Sequence, residues 1–154
     1  MAVLIRLVAA TGMRRGEACA VRWNDLDLTA GTVRIDEGVI STPTGAVARQ
    51  PKTRSSSRKV ALDKATLAEI SGLRREQEAL AGPCGLGITP ESFVFSFEPG
   101  GAVPPHPDYI SHSFTRIRAK AGAVSDIHLH SPRHFHATQI DSVISEAQKQ
   151  VRLG

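Results

Sequence analysis

The feature that most constrains the fold is the nearly continuous apolar run at residues 3–10, which consists of good helix formers. Such a run predicts a buried helix, and Thr11 and Gly12 break it directly afterwards. The chain has 154 residues, and a chain of this length buries roughly two-thirds of the surface that it exposes when unfolded. We therefore expect a single domain with a helical core over residues 1–154.

The rest of the chain predicts a mainly helical α+β domain with one small, three-stranded antiparallel sheet. Apolar periodicity and capping residues predict further helices at residues 15–23, 63–80, 108–121 and 131–151. Alternating segments predict strands at residues 32–35, 46–49 and 59–62, with residues 38–40 extending the first. Because these strands follow one another in the chain, we expect them to form a meander.

Composition excludes several classes of protein. A hydrophobic share of 41% excludes a disordered chain. Cys19 and Cys84 lie too far apart for a CxxC zinc site, and two cysteines do not make a disulfide scaffold. The apolar runs are shorter than the roughly 18 residues of a membrane span, and no signal-peptide pattern opens the chain. A cytoplasmic protein without membrane contact is expected.

The formal charge of +4 is unevenly distributed. Much of the excess lies at residues 49–59, where five cations occur without an acid: Arg49, Lys52, Arg54, Arg58 and Lys59. Such a stretch suits phosphate contacts, whose affinity comes from counterion release. A solvated basic loop explains the charge equally well.

A first candidate site lies at residues 11–17, T-G-M-R-R-G-E, where the predicted buried helix ends. The break presents Arg14 from a rigid base, and Glu17, three residues later, can hold its guanidinium in one orientation. The alternative is a surface ion pair that contributes little energy.

Lys52 is a second candidate, because it lies between two predicted strands in the sequence P-K-T-R. A lysine on a hairpin can contact a phosphate or donate a proton to a leaving oxygen. An exposed hairpin lysine without a function is the alternative.

A third candidate is the histidine cluster, in which four histidines occur within nine positions. With Ser131 as the N-cap of the last predicted helix, Arg133 and His134 lie at its N-terminus, a favourable place for phosphate. A zinc site from His130 and His134 is a weaker alternative, since there is no HExxH motif and a cation separates the two imidazoles.

Taken in order, these motifs resemble those of the tyrosine recombinases, the phage integrase family. The family's first box is matched by T-G-M-R-R-G-E at 11–17 and V-R-W-N-D at 21–25, and its hairpin lysine by P-K-T at 51–53. H-S-P-R-H at 130–134, followed by A-T at 137–138, matches the H-x-L-R-H box, with proline in place of the usual leucine. The resemblance implies an integrase-type DNA breaking-rejoining core. Type IB topoisomerases resemble this set of residues too, but the sequence of the first box favours a recombinase.

The resemblance implies a catalytic role for four residues. Arg14 and Arg133 would hold the non-bridging oxygens of a scissile DNA phosphate, Lys52 would protonate the leaving 5′ oxygen, and His130 would assist proton transfer. The implied reaction is a transesterification through a 3′-phosphotyrosyl intermediate, which the family uses in site-specific recombination and integration.

Other residues would support this site. Glu17 would orient Arg14, and His134 would support the histidine box. Double-stranded DNA is the implied partner, and the residues expected to contact it are Arg49, Arg54, Arg58 and Lys59. No metal or nucleotide cofactor is implied, because arginines and a lysine do what metal ions do in many nucleases.

The family's nucleophilic tyrosine has no match in this sequence. The chain ends in R-L-G, where the family continues L-G-H and then reaches its tyrosine on a later helix. Tyr109, the single tyrosine, precedes the histidine box and is not expected to be the nucleophile. We therefore expect an incomplete catalytic domain, without the family's amino-terminal DNA-binding domain, that is inactive by itself. Full-length members form tetramers on DNA, whereas this chain is expected to be monomeric.

Two alternatives remain open at this point. One is a non-catalytic DNA-binding remnant or regulator that keeps the phosphate pocket. The other is a metal-dependent hydrolase that uses the histidine cluster.

Overall fold

The computed structural model describes residues 1–43, 45–49 and 57–122. Its helices are α1 (Ala2–Thr11), α2 (Arg15–Ala20), α3 (Lys64–Ala81) and α4 (Pro107–Lys120), with 3-10 turns at Trp23–Asp25 and Gly82–Cys84. Its strands are β1 (Leu26–Asp27), β2 (Thr32–Ile35), β3 (Gly38–Thr42), β4 (Gly45–Arg49) and β5 (Arg58–Ala61). The predicted α+β, mainly helical architecture is confirmed for this part of the chain, and the helix predicted from Ser131 lies outside it.

Helix α1 lies in the core, as its apolar sequence predicts. Leu4, Leu7 and Val8 are at most 1% exposed, and the helix packs against α2 and α3. It ends at Gly12, whose φ of 64° is left-handed and whose amide donates to the Val8 carbonyl at 2.9 Å. This ending sets the position of the residues that follow. None of the described helices is long and apolar enough to cross a membrane.

The strands do not form the predicted meander. A three-stranded antiparallel sheet is present, but its order is β1-β2-β5, and β3 and β4 form a separate hairpin. In the sheet, Val33 lies opposite Val60, and both side chains are buried. The hairpin packs on α2 instead, where Val39 approaches the backbone of Gly16. A glycine at this position permits the close approach, because a Cβ atom there would lie 2.7 Å from the Val39 carbonyl oxygen.

Helix α2 is shorter than predicted. It ends at Ala20, Val21 is no longer helical, and Arg22 is extended before the 3-10 turn begins at Trp23. The backbone here pairs with a distant segment: the Val94 amide donates to the Val21 carbonyl at 2.9 Å, and Arg22 bridges Phe93. These long-range hydrogen bonds replace those of a continuing helix.

The two long helices begin at capping residues. Asp63 accepts a hydrogen bond from the Thr66 amide at 2.9 Å and starts α3, as predicted. Helix α4 starts one residue earlier than expected, at Pro107, because the Nδ1 of His106 accepts the Asp108 amide. Ile70 and Ile110 anchor the two helices in the core, with at most 1% exposure.

Candidate active site

Arg14 and Glu17 form the part of the candidate site at the start of α2. Arg14 is the extended N-cap residue, and Glu17 occupies the third position of the helix. One carboxylate oxygen of Glu17, Oε2, accepts the Arg14 backbone amide at 2.6 Å, and Oε1 accepts Nη1 of the Arg14 side chain at 3.0 Å. The Arg14 side chain is 48% exposed and that of Glu17 only 12%. A guanidinium is therefore presented to solvent from a fixed base.

Arg58 approaches the same carboxylate from inside the protein. Its Nη2 donates to Glu17 Oε2 at 2.7 Å and its Nη1 to Oε1 at 3.3 Å. The Arg58 side chain is 1% exposed. The expectation that this arginine contacts DNA therefore needs correction, because its guanidinium lies in the interior. The alternation of β5 explains the burial: Arg58 and Val60 point inward, and Lys59 points outward.

Glu17 is the ionised centre of this arrangement. Burial acts to raise the pKa of its carboxyl group. Hydrogen bonds from the Arg58 side chain and the Arg14 backbone amide, with the positive charges of both arginines, nevertheless hold this pKa below its ordinary value. The carboxylate is therefore a stable hydrogen-bond acceptor for both guanidinium groups near neutral pH.

Two other predicted contact residues, Arg49 and Lys59, are exposed. Arg49 is the last residue of β4, opposite Gly38, and Lys59 lies opposite Arg34 in the sheet. Both are surface cations, as a phosphate contact requires. The remaining predicted site residues lie outside the described part of the chain: Lys52, Arg54, His130, Arg133 and His134. The structure thus brings together Arg14, Glu17 and Arg58.

Sequence reasoning missed a polar cluster that fixes the base of the site. Arg15 donates from Nη1 to Asp108 Oδ1 at 3.2 Å and to Ser111 Oγ at 2.7 Å. Ser41, on β3, donates to the other Asp108 oxygen at 3.1 Å. The cluster joins α2, the hairpin and the start of α4. No local signal could have found it, because its members are 67 to 96 positions apart in each of these hydrogen bonds.

Tyr109 lies on α4 and is 48% exposed. Its ring packs edge-on against Phe97, with centroids 4.8 Å apart and planes at 71°. It lines a cavity of about 310 Å³ together with Met1, Arg116 and Lys120. Nothing in these contacts places its hydroxyl beside the Arg14 guanidinium.

The described residues contain no group of three or more His, Cys, Asp or Glu side chains that could hold a metal ion. The histidine cluster that motivated the zinc alternative lies outside these residues. The described part of the site holds a positioned guanidinium, a carboxylate that orients it, and exposed cations on β4 and β5.

Comparison with known proteins gives a consistent family match. The model of the phage integrase family matches residues 1–143. The chain is 26% identical over 126 residues to the ICEBs1 integrase of Bacillus subtilis strain 168, covering 82% of this chain and 33% of that protein. It is 27% identical over 138 residues to tyrosine recombinase XerC of Xanthomonas axonopodis pv. citri strain 306, covering 89% of this chain and 36% of that protein.

Solved structures show a similar fold. The integrase of the Tn1549 transposon, in complex with transposon right end DNA, matches with a TM-score of 0.77 and 21% identity, over 99% of this chain and 49% of that chain. The XerA recombinase matches with a TM-score of 0.69 and 16% identity, over 98% and 47% of the two chains. The chain thus spans about a third of the length of these curated relatives and about half of these solved chains.

Proposed function

This chain belongs to the phage integrase family, and from that premise we propose that it is the DNA-binding catalytic domain of a site-specific recombinase. The reaction proposed is transesterification at a DNA phosphate through a 3′-phosphotyrosyl intermediate, in the cytoplasm. The observation that carries the proposal is the Arg14 guanidinium, half-exposed and held by Glu17 at 3.0 Å. A fixed cation of this kind can bind a non-bridging phosphate oxygen and stabilise the charge that develops in the transition state.

The other catalytic roles are proposed from the sequence match. Arg133 would hold the phosphate with Arg14, Lys52 would protonate the leaving 5′ oxygen, and His130 would assist proton transfer, with His134 in support. Lys52 falls between β4 and β5 in the sequence, seven residues before the exposed cation Lys59. This location favours a lysine close to the DNA.

Duplex DNA is the proposed partner. Arg49 and Lys59 are exposed cations that flank the basic segment in the sequence, and Arg54 lies within it. Arg58 is left out of the proposed contacts because its guanidinium is buried. Binding should weaken steeply as salt rises, because each neutralised phosphate releases counterions.

Duplex binding is tested by fluorescence anisotropy across a range of salt concentrations. We expect Arg14→Ala to weaken binding by about tenfold, and Lys59→Ala to weaken it and lower the salt slope by about one. Arg6→Ala is the matched control, because Arg6 pairs with Glu69 at 2.8 Å on the surface of α1 and has no proposed role. Equal effects of the three substitutions would contradict a specific phosphate site.

By itself the chain is proposed to bind DNA without forming a covalent adduct. Tyr109 is the only tyrosine in the sequence, and its ring packs on Phe97. Incubation with a suicide DNA substrate and a denaturing gel should show no adduct, for the chain and for Tyr109→Phe alike. An adduct that Tyr109→Phe abolishes would make Tyr109 the nucleophile, and an adduct that survives it would reveal a different one.

The proposed oligomeric state of this chain is a monomer. Among the similar solved structures, lambda integrase is a tetramer bound to a Holliday junction. Sedimentation velocity without DNA measures the state directly, and a dimer or tetramer would contradict the proposal.

A further inference from the structure

Arg58 is a buried cation whose charge is balanced by a neighbour far away in sequence. Its side chain is 1% exposed, and its two terminal nitrogens both donate to Glu17, 41 residues earlier. Its Nε has no hydrogen-bond partner among the described residues. A buried cation is stable only when it is paired in good geometry. The pairing with Glu17 is therefore a requirement for Arg58 to lie where it does.

The carboxylate that balances Arg58 is also the one that holds Arg14. Oε1 accepts from Nη1 of Arg14 at 3.0 Å and from Nη1 of Arg58 at 3.3 Å. Oε2 accepts from the Arg14 backbone amide at 2.6 Å and from Nη2 of Arg58 at 2.7 Å. The two-nitrogen contact from Arg58 fixes the plane of the carboxylate, because a guanidinium fork matches a carboxylate in one orientation. Oε1 is thereby directed at the Arg14 side chain.

We propose that Arg58 is a positioning residue of the phosphate site: it fixes the Glu17 carboxylate, and through it the direction in which Arg14 presents its guanidinium. This inference rests on the proposed function, in which Arg14 binds a DNA phosphate. Arg58 is also the first residue of β5, the strand that follows the segment with Lys52. The same ion pair therefore ties that strand to the helix that carries Glu17.

Arg58 can be tested by a double-mutant cycle on duplex DNA affinity. The variants are Arg58→Met, Arg14→Ala and the two combined, measured by anisotropy at a temperature where all remain folded by circular dichroism. If Arg58 acts through Arg14, Arg58→Met weakens binding by roughly three- to tenfold in the wild-type background and has almost no effect in the Arg14→Ala background. A residue with a general structural role would weaken binding by the same factor in both backgrounds.

A conservative variant separates an effect on DNA binding from loss of the fold. Arg58→Lys keeps the buried positive charge but lacks the fork, so it should fold and still bind DNA less tightly than the wild type. Arg6→Met is the control, since it removes an arginine and an exposed ion pair between α1 and α3 that has no proposed role in DNA binding; it should leave affinity unchanged within about twofold.

The outcomes separate this inference from the proposed function. If Arg14→Ala does not weaken binding, the proposed function fails and this inference with it. If Arg14→Ala weakens binding but Arg58→Met does not, or acts equally in both backgrounds, only the role of Arg58 is overturned. If neither Arg58 variant folds, Arg58 is a structural residue and the inference is wrong.

Discussion

The carboxylate of Glu17 lies 2.7 Å from the guanidinium of Arg58, across 41 positions of sequence. This ion pair joins the first turn of α2 to the first residue of β5. The Arg58 side chain is almost entirely buried in it. Removing one partner of such a pair leaves an uncompensated buried charge and costs about 3–5 kcal/mol. The pair therefore links the stability of the fold to the geometry of the candidate site.

The first prediction concerns acid stability. The pKa of Glu17 is lower in the folded chain than its ordinary value of 4.5. Its contribution to stability is therefore fully present above about pH 4.5 and is lost as the pH falls through the lowered pKa. Urea unfolding should show that Glu17→Gln is less stable than the wild type near pH 7, and that this difference shrinks as the pH falls from 4.5 through the lowered pKa. A difference independent of pH would contradict the ionised pair.

The second prediction concerns the contact between α2 and the hairpin. A Cβ atom at Gly16 would lie 2.7 Å from the Val39 carbonyl oxygen, so Gly16→Ala forces the backbones apart. We expect a loss of about 1–3 kcal/mol and a fall in Tm of about 2–4 °C for each kcal/mol. Gly72→Ala is the matched control within α3, where the nearest atom is 3.9 Å away. Gly72→Ala should raise the free energy of unfolding by about 0.5–1 kcal/mol. Equal effects of the two substitutions would contradict the close contact between Gly16 and Val39.

The third prediction concerns the cap of α3. Asp63 accepts the Thr66 amide at 2.9 Å and the Thr66 hydroxyl at 2.6 Å. Asp63→Ala should lower the free energy of unfolding by about 1 kcal/mol, whereas Asp63→Asn should change it little, because asparagine caps almost equally well. Chemical denaturation of both variants provides the measurement. A large loss in Asp63→Asn would show that charge, rather than the cap hydrogen bond, stabilises the helix start.

The fourth prediction concerns thiol reactivity. Cys19 is fully buried, and burial raises the pKa of its thiol to about 12. Cys84 is exposed. A thiol reagent should modify one cysteine in the folded chain and both after denaturation, since only the accessible thiolate reacts. Cys84→Ser should leave the folded chain unreactive, and reaction of that variant without denaturant would show that the core around Cys19 opens.

Features that depend on neighbouring residues could be predicted from sequence. The end of α1 follows from the glycine at position 12, the start of α3 follows from the capping Asp63, and the contact of Glu17 with Arg14 follows from a spacing of three residues. Each of these involves groups within one helical turn, where backbone geometry fixes the distance.

The sequence by itself determined the family motifs, the helices α1, α3 and α4, and the Arg14–Glu17 pair. Only the tertiary structure decided that β2 pairs with β5 rather than with the hairpin, that α2 stops at Ala20, and that Arg58 faces the core. Strand pairing and burial are set by residues far apart in the chain. The local sequence around a basic strand is therefore the same whether its arginine is exposed to solvent or paired with a buried carboxylate. The physical reason is that the partner of Arg58, which makes its burial possible, lies 41 residues away.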